Sequence, residues 1–353
     1  MKNIIKKITA AALAALMTVS FASCGKESDD NSEAKNETKT YKVGIVQFVD
    51  DASLNQIQDN IQLELDAKGE ELKCKFDYAD YTYNGQADST TLNQIASELI
   101  AKEVDIIIPI ATPTAQIMQA ATEENQIPVV FAAVSDPMTA KLVSSMDAPG
   151  SNITGTSDAL NTKAILELMR AAYKDLDYVG LLYSKSEDSS VKPIAEAKEF
   201  FDANNIKYIE KTGTTTDELI SAADALVAEG VDCVFTPTDN TVMTAELAIY
   251  EKFADAKIGH FCGADSFALN GAFVGYGVDY ANLGRATADM AVEILVNGKK
   301  PAETAVQTFD NGLAVVNTEI CAQLGFDMET VKESFKPYCT AVSEIKTAKE
   351  FDK

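Results

Sequence analysis

Apolar and polar positions follow two alternating patterns from residue 41 onward. Short runs rich in β-branched residues are separated by longer stretches in which apolar residues recur every three or four positions. This alternation predicts an α/β fold whose parallel strands are linked by crossover helices. The predicted strands are Lys42–Gln47, Cys74–Ala79, Val104–Ile110, Pro128–Ala132, Tyr178–Tyr183, Lys207–Glu210, Val231–Thr236, Lys257–Cys262 and Ala272–Tyr276, and the clearest predicted helices are Ser53–Lys68, Ser89–Lys102, Ile194–Asn204 and Asp217–Glu229.

The same plan occurs twice along the chain. Short motifs of the first half recur in the same order and at similar spacing in the second half, which indicates two related lobes. Continuous apolar strands are typical of sheets covered by helices on both faces, so each lobe is predicted to be doubly wound. The recurring motifs are Val43-Gly44 with Val179-Gly180, Val104-Asp105 with Val231-Asp232, and Thr112-Pro113-Thr114 with Thr236-Pro237-Thr238.

Doubly wound sheets bind ligands beyond the carboxyl ends of their strands. In the first lobe the turn Thr112-Pro113-Thr114 is predicted to cap a helix that starts near Ala115 and whose free N–H groups suit a carboxylate. Alternatively, this turn is an ordinary helix cap without a ligand. In the second lobe Asp239 and Asn240 follow a strand and suit an ammonium group. Alternatively, Asp239 only caps a helix.

Small, polar and aromatic residues follow the other strands as well. Donors on one lobe and carboxylates on the other match a zwitterionic amino acid, for which Phe48, Tyr83, Tyr183 and Phe267 are candidate apolar walls, although each also suits a core or rim position. The predicted ligand-binding residues are Gln47, Phe48, Thr112, Pro113, Thr114, Ser135, Asp136, Ser157, Tyr183, Ser184, Glu187, Ser189, Thr238, Asp239, Asn240 and Asp265.

Residues 1–23 have the pattern of an export signal, with Lys2, Lys6 and Lys7 preceding an apolar run too short to span a bilayer. The run closes on 21–25, FASCG, which resembles a bacterial lipobox and predicts lipidation of Cys24. Alternatively, the segment is a plain signal peptide with an incidental cysteine. The polar residues 24–40 are predicted to form a disordered tether.

Composition narrows the functional classes. A hydrophobic content of 46% with 24% charged residues is that of a protein folded in water. The net charge of -24 is spread along the chain, which disfavours nucleic acid as a partner. Apart from Cys24, an odd set of cysteines remains without a CxxC pair, so free thiols are expected. We predict neither a cofactor nor a metal.

A resemblance covers most of the chain after the signal. The chain resembles the substrate-binding proteins of bacterial ABC importers in the family associated with tryptophan, tyrosine and phenylalanine uptake. The residues that carry the resemblance are VGIVQFVD at 43–50, NGQAD at 84–88, IATPTAQ at 110–116, VSDPM at 134–138, NITGTSD at 152–158, LLYSKSEDSS at 181–190, PTDNTV at 237–242 and VDYANLGR at 278–285.

The resemblance implies the type I periplasmic-binding fold, in which three crossing segments join two lobes. The crossings are expected near 155–158, 277–279 and 306–316. Residues 41–155 with part of 280–318 would form the N-terminal lobe, 156–279 the C-terminal lobe, and 319–353 a helical segment packed on both. Ser189, Gly263 and Ala264 depart from the residues usual in the family, which affects the choice of ligand.

The predicted function is that of a monomeric, extracytoplasmic lipoprotein, held on the membrane only through Cys24, which passes an aromatic amino acid to ABC permease subunits. A sensor of the same fold that binds a nucleoside, a sugar or another solute is an alternative. A hydrolase that uses two carboxylates is another. The single histidine, His260, lies within an apolar strand, so no Ser-His-acid site is expected. A gene regulator is disfavoured because the chain begins with an export signal.

Overall fold

The computed structural model describes residues 38–309 and 312–351. The predicted signal at 1–23, the lipidation site Cys24 and the tether up to residue 37 lie outside the described residues. The elements of the first half are β1 (Thr40–Gln47), α1 (Ala52–Leu72), β2 (Lys75–Asp77), β3 (Thr82–Asn84), α2 (Ser89–Ala101), β4 (Ile106–Ile110), α3 (Thr112–Thr122), β5 (Val129–Phe131) and β6 (Ile153–Ser157).

The second half repeats the alternation of strands and helices. Its elements are α4 (Thr162–Ala172), β7 (Tyr178–Ser184), α5 (Asp188–Asn204), β8 (Lys207–Gly213), α6 (Thr216–Glu229), β9 (Cys233–Thr236), α7 (Asn240–Asp255), β10 (Gly259–Cys262), α8 (Asp265–Leu269), β11 (Val274–Gly277), α9 (Tyr280–Asn297), β12 (Gln307–Thr308), β13 (Leu313–Asn317), α10 (Thr318–Leu324), α11 (Met328–Phe335) and β14 (Ala341–Ile345). After β11 the chain goes back to the N-lobe and then returns to the C-lobe.

Two sheets define two lobes. The N-lobe sheet is parallel and has the order β12-β6-β5-β4-β1-β2, with β3 also paired to β1. The C-lobe sheet has the order β14-β13-β11-β10-β9-β7-β8, and only β13 runs antiparallel to its neighbour β11. The order confirms the predicted α/β class with two doubly wound lobes.

The chain crosses between the lobes three times. It leaves the N-lobe sheet after β6, returns between β11 and α9, and crosses again between β12 and β13. Helix α9 packs against α1 of the N-lobe, and Gly284 permits the close approach, since a Cβ there would lie 2.6 Å from the Ile57 carbonyl oxygen. The predicted three-crossing hinge is therefore present.

The strands are buried because helices cover both faces of each sheet. All five residues of β4, IIIPI, are buried, as are all residues of β9, β10 and β11. Each buried branched side chain of this kind contributes roughly 1.5–3 kcal/mol to folding. The buried cores thus fix the positions of the strand ends. The loops that follow those ends therefore begin at fixed positions as well.

The structure departs from the sequence-based elements at several places, and two of these departures change the course of the chain. The predicted strand Cys74–Ala79 is shorter and is followed by a 3-10 turn and β3. The segment 319–353, predicted as helical, contains α10 and α11 but then enters the C-lobe sheet as β14. Half-exposed β14 has little apolar patterning of its own, so pairing with β13 determines its conformation.

The described residues contain five of the six cysteines of the chain. The five cysteines in this part of the chain, Cys74, Cys233, Cys262, Cys321 and Cys339, are all free thiols. Within residues 38–309 and 312–351, no helix combines the length and apolar character that a membrane crossing requires.

Candidate functional site

A cavity lies between the two lobes, at the carboxyl ends of the strands. Both lobes and the first crossing contribute to its wall, and most of the lining side chains are small or polar. The lining residues are Ser53, Leu54, Ala111, Thr112, Ala133, Ser135 and Tyr280 from N-lobe elements, Asp158 from the crossing, and Ser189, Thr238, Asn240, Met243 and Ala264 from the C-lobe.

The N-lobe presents the start of helix α3 to this cavity. Ala111, the N-cap residue, has φ 78° and ψ 154° and provides no capping side chain. This conformation is strained for a residue other than glycine. Since Ala111 and Thr112 both line the cavity, the uncapped first-turn N–H groups and the positive end of the helix dipole lie at its wall. An anionic group of a ligand is suited to this position.

The C-lobe presents a helix start of a different kind. The Asp239 Oδ1 atom accepts hydrogen bonds from the N–H groups of Thr241 and Val242 at the start of α7. Its Oδ2 atom accepts from the Ser184 N–H and the Ser190 hydroxyl, both at 2.7 Å. All four donors belong to the C-lobe, and Asp239 is absent from the cavity lining. The geometry thus gives Asp239 the capping role.

Glu187 lies one layer behind the cavity wall. It is 3% exposed and accepts hydrogen bonds from the Asn240 amide, the Thr241 hydroxyl and the Ser189 hydroxyl. Burial, followed by the charge of Asp239, raises the pKa of Glu187. Because Asn240 and Ser189 line the cavity, Glu187 orients two wall residues from behind.

Asp158 is the carboxylate that reaches the cavity. It directly follows β6, is 2% exposed, and accepts hydrogen bonds from the Ser135 hydroxyl at 3.0 Å and the Tyr280 hydroxyl at 3.4 Å. Burial raises the pKa of Asp158, and the hydrogen bonds oppose that rise. None of the lining residues is a lysine, arginine or histidine.

Direct hydrogen bonds join the lobes at the cavity's edge. The Ser53 hydroxyl of α1 donates to Asp265 Oδ1 of α8 at 2.5 Å and accepts from the Ser266 N–H. Burial, opposed by the hydrogen bond from Ser53, raises the pKa of Asp265 to about 7, and burial raises that of nearby Asp51 to about 6.

A second bridge lies at the start of α5. The Gln116 amide of α3 donates to Asp188 Oδ2 at 2.8 Å and also to the Ala140 carbonyl oxygen. Two separate side-chain contacts thus hold the lobes together around the cavity.

The structure brings together part of the predicted set. Thr112, Ser135, Ser189, Thr238 and Asn240 line the cavity. The other predicted residues lie outside the lining. In the N-lobe, Gln47, Phe48 and Thr114 are buried, Pro113 is half-buried in the first turn of α3, Asp136 caps its own turn, and the Ser157 hydroxyl donates to the Ser135 carbonyl oxygen.

In the C-lobe, the Tyr183 hydroxyl donates to Glu210, the Ser184 N–H donates to Asp239, Glu187 lies behind the wall, and Asp265 accepts from Ser53 of the N-lobe.

The predicted apolar walls lie elsewhere in the structure. Phe48 and Phe267 are buried core residues, and the hydroxyls of Tyr83 and Tyr183 bond surface acids of their own lobes. Those side chains pack where their own strand or helix directs them, away from the cavity. The apolar part of the lining is instead formed by Leu54, Met243, the ring of Tyr280 and three alanines.

Sequence reasoning missed several lining residues. Ser53 and Leu54 follow the cap Asp51 at the start of α1, and Tyr280 begins α9 after a crossing. Asp158 carried a usable signal, since an acid directly after a buried strand stands at the ligand-binding edge of the sheet. Ala111 and Met243 had no signal in the sequence, because only the lobe arrangement puts them at the cavity.

His260 has polar partners that the sequence did not reveal. Its Nε2 atom lies 2.7 Å from the Thr236 hydroxyl, which itself donates to the Leu182 carbonyl oxygen, and its Nδ1 atom lies 3.1 Å from Glu246. A hydroxyl, a histidine and an acid are thus connected, but the hydroxyl belongs to a threonine that donates to a backbone carbonyl oxygen, so these residues do not form a Ser-His-acid site. All three are at most 2% exposed, so the connection is a structural element of the C-lobe core.

Metal binding has no support in the described part of the chain. No group of three or more His, Cys, Asp or Glu side chains there is arranged to hold a metal ion.

Known proteins similar to the chain share this architecture. The chain is 30% identical to a tyrosine-binding protein of Clostridioides difficile (strain R20291), over 98% of this chain and 99% of that protein. An ABC domain from Streptococcus pneumoniae in complex with L-Trp has a TM-score of 0.78 at 30% identity, over 86% of this chain and 100% of that one. A ligand-free, open substrate-binding protein with adhesive properties from Clostridium difficile has a TM-score of 0.64 at 31% identity, over 87% and 100%.

The family assignment follows from a match that spans most of the chain. Residues 42–335 match the family model described as ABC transporter substrate binding protein. Proteins of this family bind solutes rather than catalyse reactions, and they act outside the cytoplasm. The chain belongs to the ABC transporter substrate-binding proteins.

Proposed function

We propose that the protein is an extracytoplasmic lipoprotein that binds an aromatic amino acid in the cavity between its lobes and delivers it to an ABC importer. The carboxylate of the ligand would bind at the start of α3, and the aromatic ring of the ligand would lie against Leu54, Met243 and Tyr280. Ala111, Ala133 and Ala264 also line the cavity, and their small side chains would border the ring.

One observation carries the proposal. Helix α3 begins at the cavity wall without a capping side chain, on a strained Ala111, so its N–H groups are available to a ligand carboxylate. The relatives with a tyrosine-binding name and with bound L-Trp support an aromatic amino acid as that ligand.

Closure of the lobes is the proposed mechanism. The TM-score is higher to the L-Trp complex than to the ligand-free open structure at nearly equal identity. The bonds Ser53–Asp265 and Gln116–Asp188 between the lobes agree with a closed arrangement. A ligand that contacts both lobes shifts the equilibrium toward this arrangement.

Membrane attachment is proposed from the sequence alone. The signal-like residues 1–23 and the lipobox-like segment before Cys24 support lipidation of that cysteine. Cys24→Ala is expected to release the protein from cells into the medium, as measured by fractionation. A variant that remains membrane-bound would contradict the anchor.

Isothermal titration calorimetry of the purified protein tests the ligand class. Tyrosine, tryptophan and phenylalanine are compared with aliphatic and charged amino acids, a nucleoside and a hexose. We expect the three aromatic amino acids to bind tightest. Selective binding of the nucleoside or the hexose would contradict the proposal and favour a different solute.

A further inference from the structure

We propose that Asp158 binds the amino group of the ligand and thereby selects amino acids against their deaminated analogues. This inference deepens the proposed function and rests on it. It moves the amine-binding role from Asp239 on the second lobe to the crossing between the lobes.

Charge in the cavity is the first argument. Asp158 is the only acid among the residues that line the cavity, and none of the lining residues carries a positive charge. A carboxylate that is 2% exposed and has no cationic partner among the described residues is costly to bury. An ammonium group placed in the cavity would supply the missing charge.

Acceptor capacity is the second argument. The two oxygens of a carboxylate offer about four lone-pair sites. In Asp158, the Ser135 hydroxyl occupies one site on Oδ1, and the Tyr280 hydroxyl approaches Oδ2 at 3.4 Å. The remaining sites can accept N–H donors from an ammonium group, while Ser135 and Tyr280 hold the carboxylate in place.

The other acids near the cavity are already committed to protein donors. Asp239 accepts four hydrogen bonds from its own lobe. Glu187 accepts from three side chains of that lobe, and Asp265 accepts from Ser53. None of these three acids lines the cavity.

The position of Asp158 fits the chemistry of an α-amino acid. The carboxylate and the amino group of such a ligand are attached to the same carbon atom, so their binding groups must border one cavity. Thr112 at the start of α3 and Asp158 both line it. A bound ammonium group also keeps the buried Asp158 ionised, against the effect of burial on its pKa.

The test compares L-tyrosine with 3-(4-hydroxyphenyl)propionate, which lacks only the amino group, on wild-type protein and Asp158→Asn. Wild-type protein is expected to prefer L-tyrosine by at least about 30-fold, because removal of one partner leaves a buried charge unpaired. In Asp158→Asn, affinity for L-tyrosine is expected to fall by a similar factor, while affinity for the deaminated compound changes by less than about threefold.

Asp136→Asn is the matched control. Its carboxylate bonds the N–H groups of Met138 and Thr139 in its own turn, so its loss is expected to leave the discrimination unchanged. If Asp158→Asn does not fold, wild-type protein is compared on L-tyrosine, tyramine and the deaminated acid. Binding of tyramine above the deaminated acid then supports an anionic amine site.

The outcomes separate the two proposals. Wild-type protein that binds L-tyrosine and its deaminated analogue equally, or an Asp158→Asn protein that discriminates as wild type does, overturns the role of Asp158 and leaves the proposed function standing. Wild-type protein that binds no aromatic amino acid contradicts the proposed function and this assignment together.

Discussion

The two lobes begin corresponding helices at the cavity in opposite ways. In the N-lobe α3 starts on the strained Ala111 without a side-chain cap, whereas in the C-lobe the four hydrogen bonds of Asp239 fix the start of α7. An uncapped helix start retains N–H groups for a ligand, and a capped one has used them within the protein. The N-lobe therefore presents a helix start without a side-chain cap at the cavity, and the C-lobe presents one whose first donors are bonded to Asp239.

The same three-residue motif serves different purposes in the two lobes. Thr112-Pro113-Thr114 forms the first turn of α3, and Thr112 lines the cavity. Thr236 instead ends β9, and its hydroxyl bonds the Leu182 carbonyl oxygen and His260 within the core. As helix N-cap, the structural counterpart of Ala111 is therefore Asp239, four residues beyond Phe235, the position that the motif suggests.

Removal of the C-lobe cap is expected to have the largest effect. Asp239→Ala leaves the Ser184 N–H and the Ser190 hydroxyl buried without an acceptor and uncaps α7, so the free energy of unfolding should fall by about 3 kcal/mol in urea titrations. Asp88→Ala, which removes an exposed cap with one bond to Thr91, should cost only about 1 kcal/mol. A stable Asp239→Ala protein with lost ligand binding would return Asp239 to the site.

A carboxylate added at the N-lobe helix start should make it resemble the C-lobe. Ala111→Asp places an anion at the N–H groups proposed to bind the ligand carboxylate, and affinity for L-tyrosine should fall by about 30-fold in calorimetry. Ala111→Gly is the control, since it relieves the strain at φ 78° and should raise the free energy of unfolding by roughly 1 kcal/mol with affinity retained. Unchanged affinity in Ala111→Asp would remove α3 from the site.

The smallest expected effect concerns pH and the contact between the lobes. Burial raises the pKa of Asp265 to about 7 from an ordinary value of 3.8, so the closed arrangement holds a proton that an open one would release. Closure is then favoured as the pH falls through about 7, and ligand affinity should be about tenfold higher at pH 6 than at pH 8. Nearby Asp51, with a pKa of about 6, further favours the closed arrangement below pH 6.

Asp265→Asn separates this contact from the rest of the site. The variant keeps a side chain that can bond Ser53 but cannot ionise, so the change in affinity between pH 6 and pH 8 should disappear. A pH dependence that persists in Asp265→Asn would assign it to another group.

The periodicity of apolar residues in the sequence was sufficient to predict the two lobes and their buried strands. Runs such as β4, IIIPI, are apolar on both faces and have no stable position other than inside a covered sheet, so their strand state is evident from the sequence. Edge strand β14 has no comparable pattern, and its partner β13 lies a helical segment away in the chain. Hydrogen bonding between distant residues therefore decided its conformation.

The sequence by itself determined which strand ends carry polar groups, because hydrophobic periodicity fixes each strand and the residues that follow it. It indicated Thr112, Ser135, Ser189, Thr238 and Asn240, all of which line the cavity. Only the tertiary structure decided which carboxylate reaches the cavity and which ones are used as caps. A side chain's role depends on the donors that folding brings to it, and for Asp239 those donors come from Ser184 and Ser190 on other elements of its lobe.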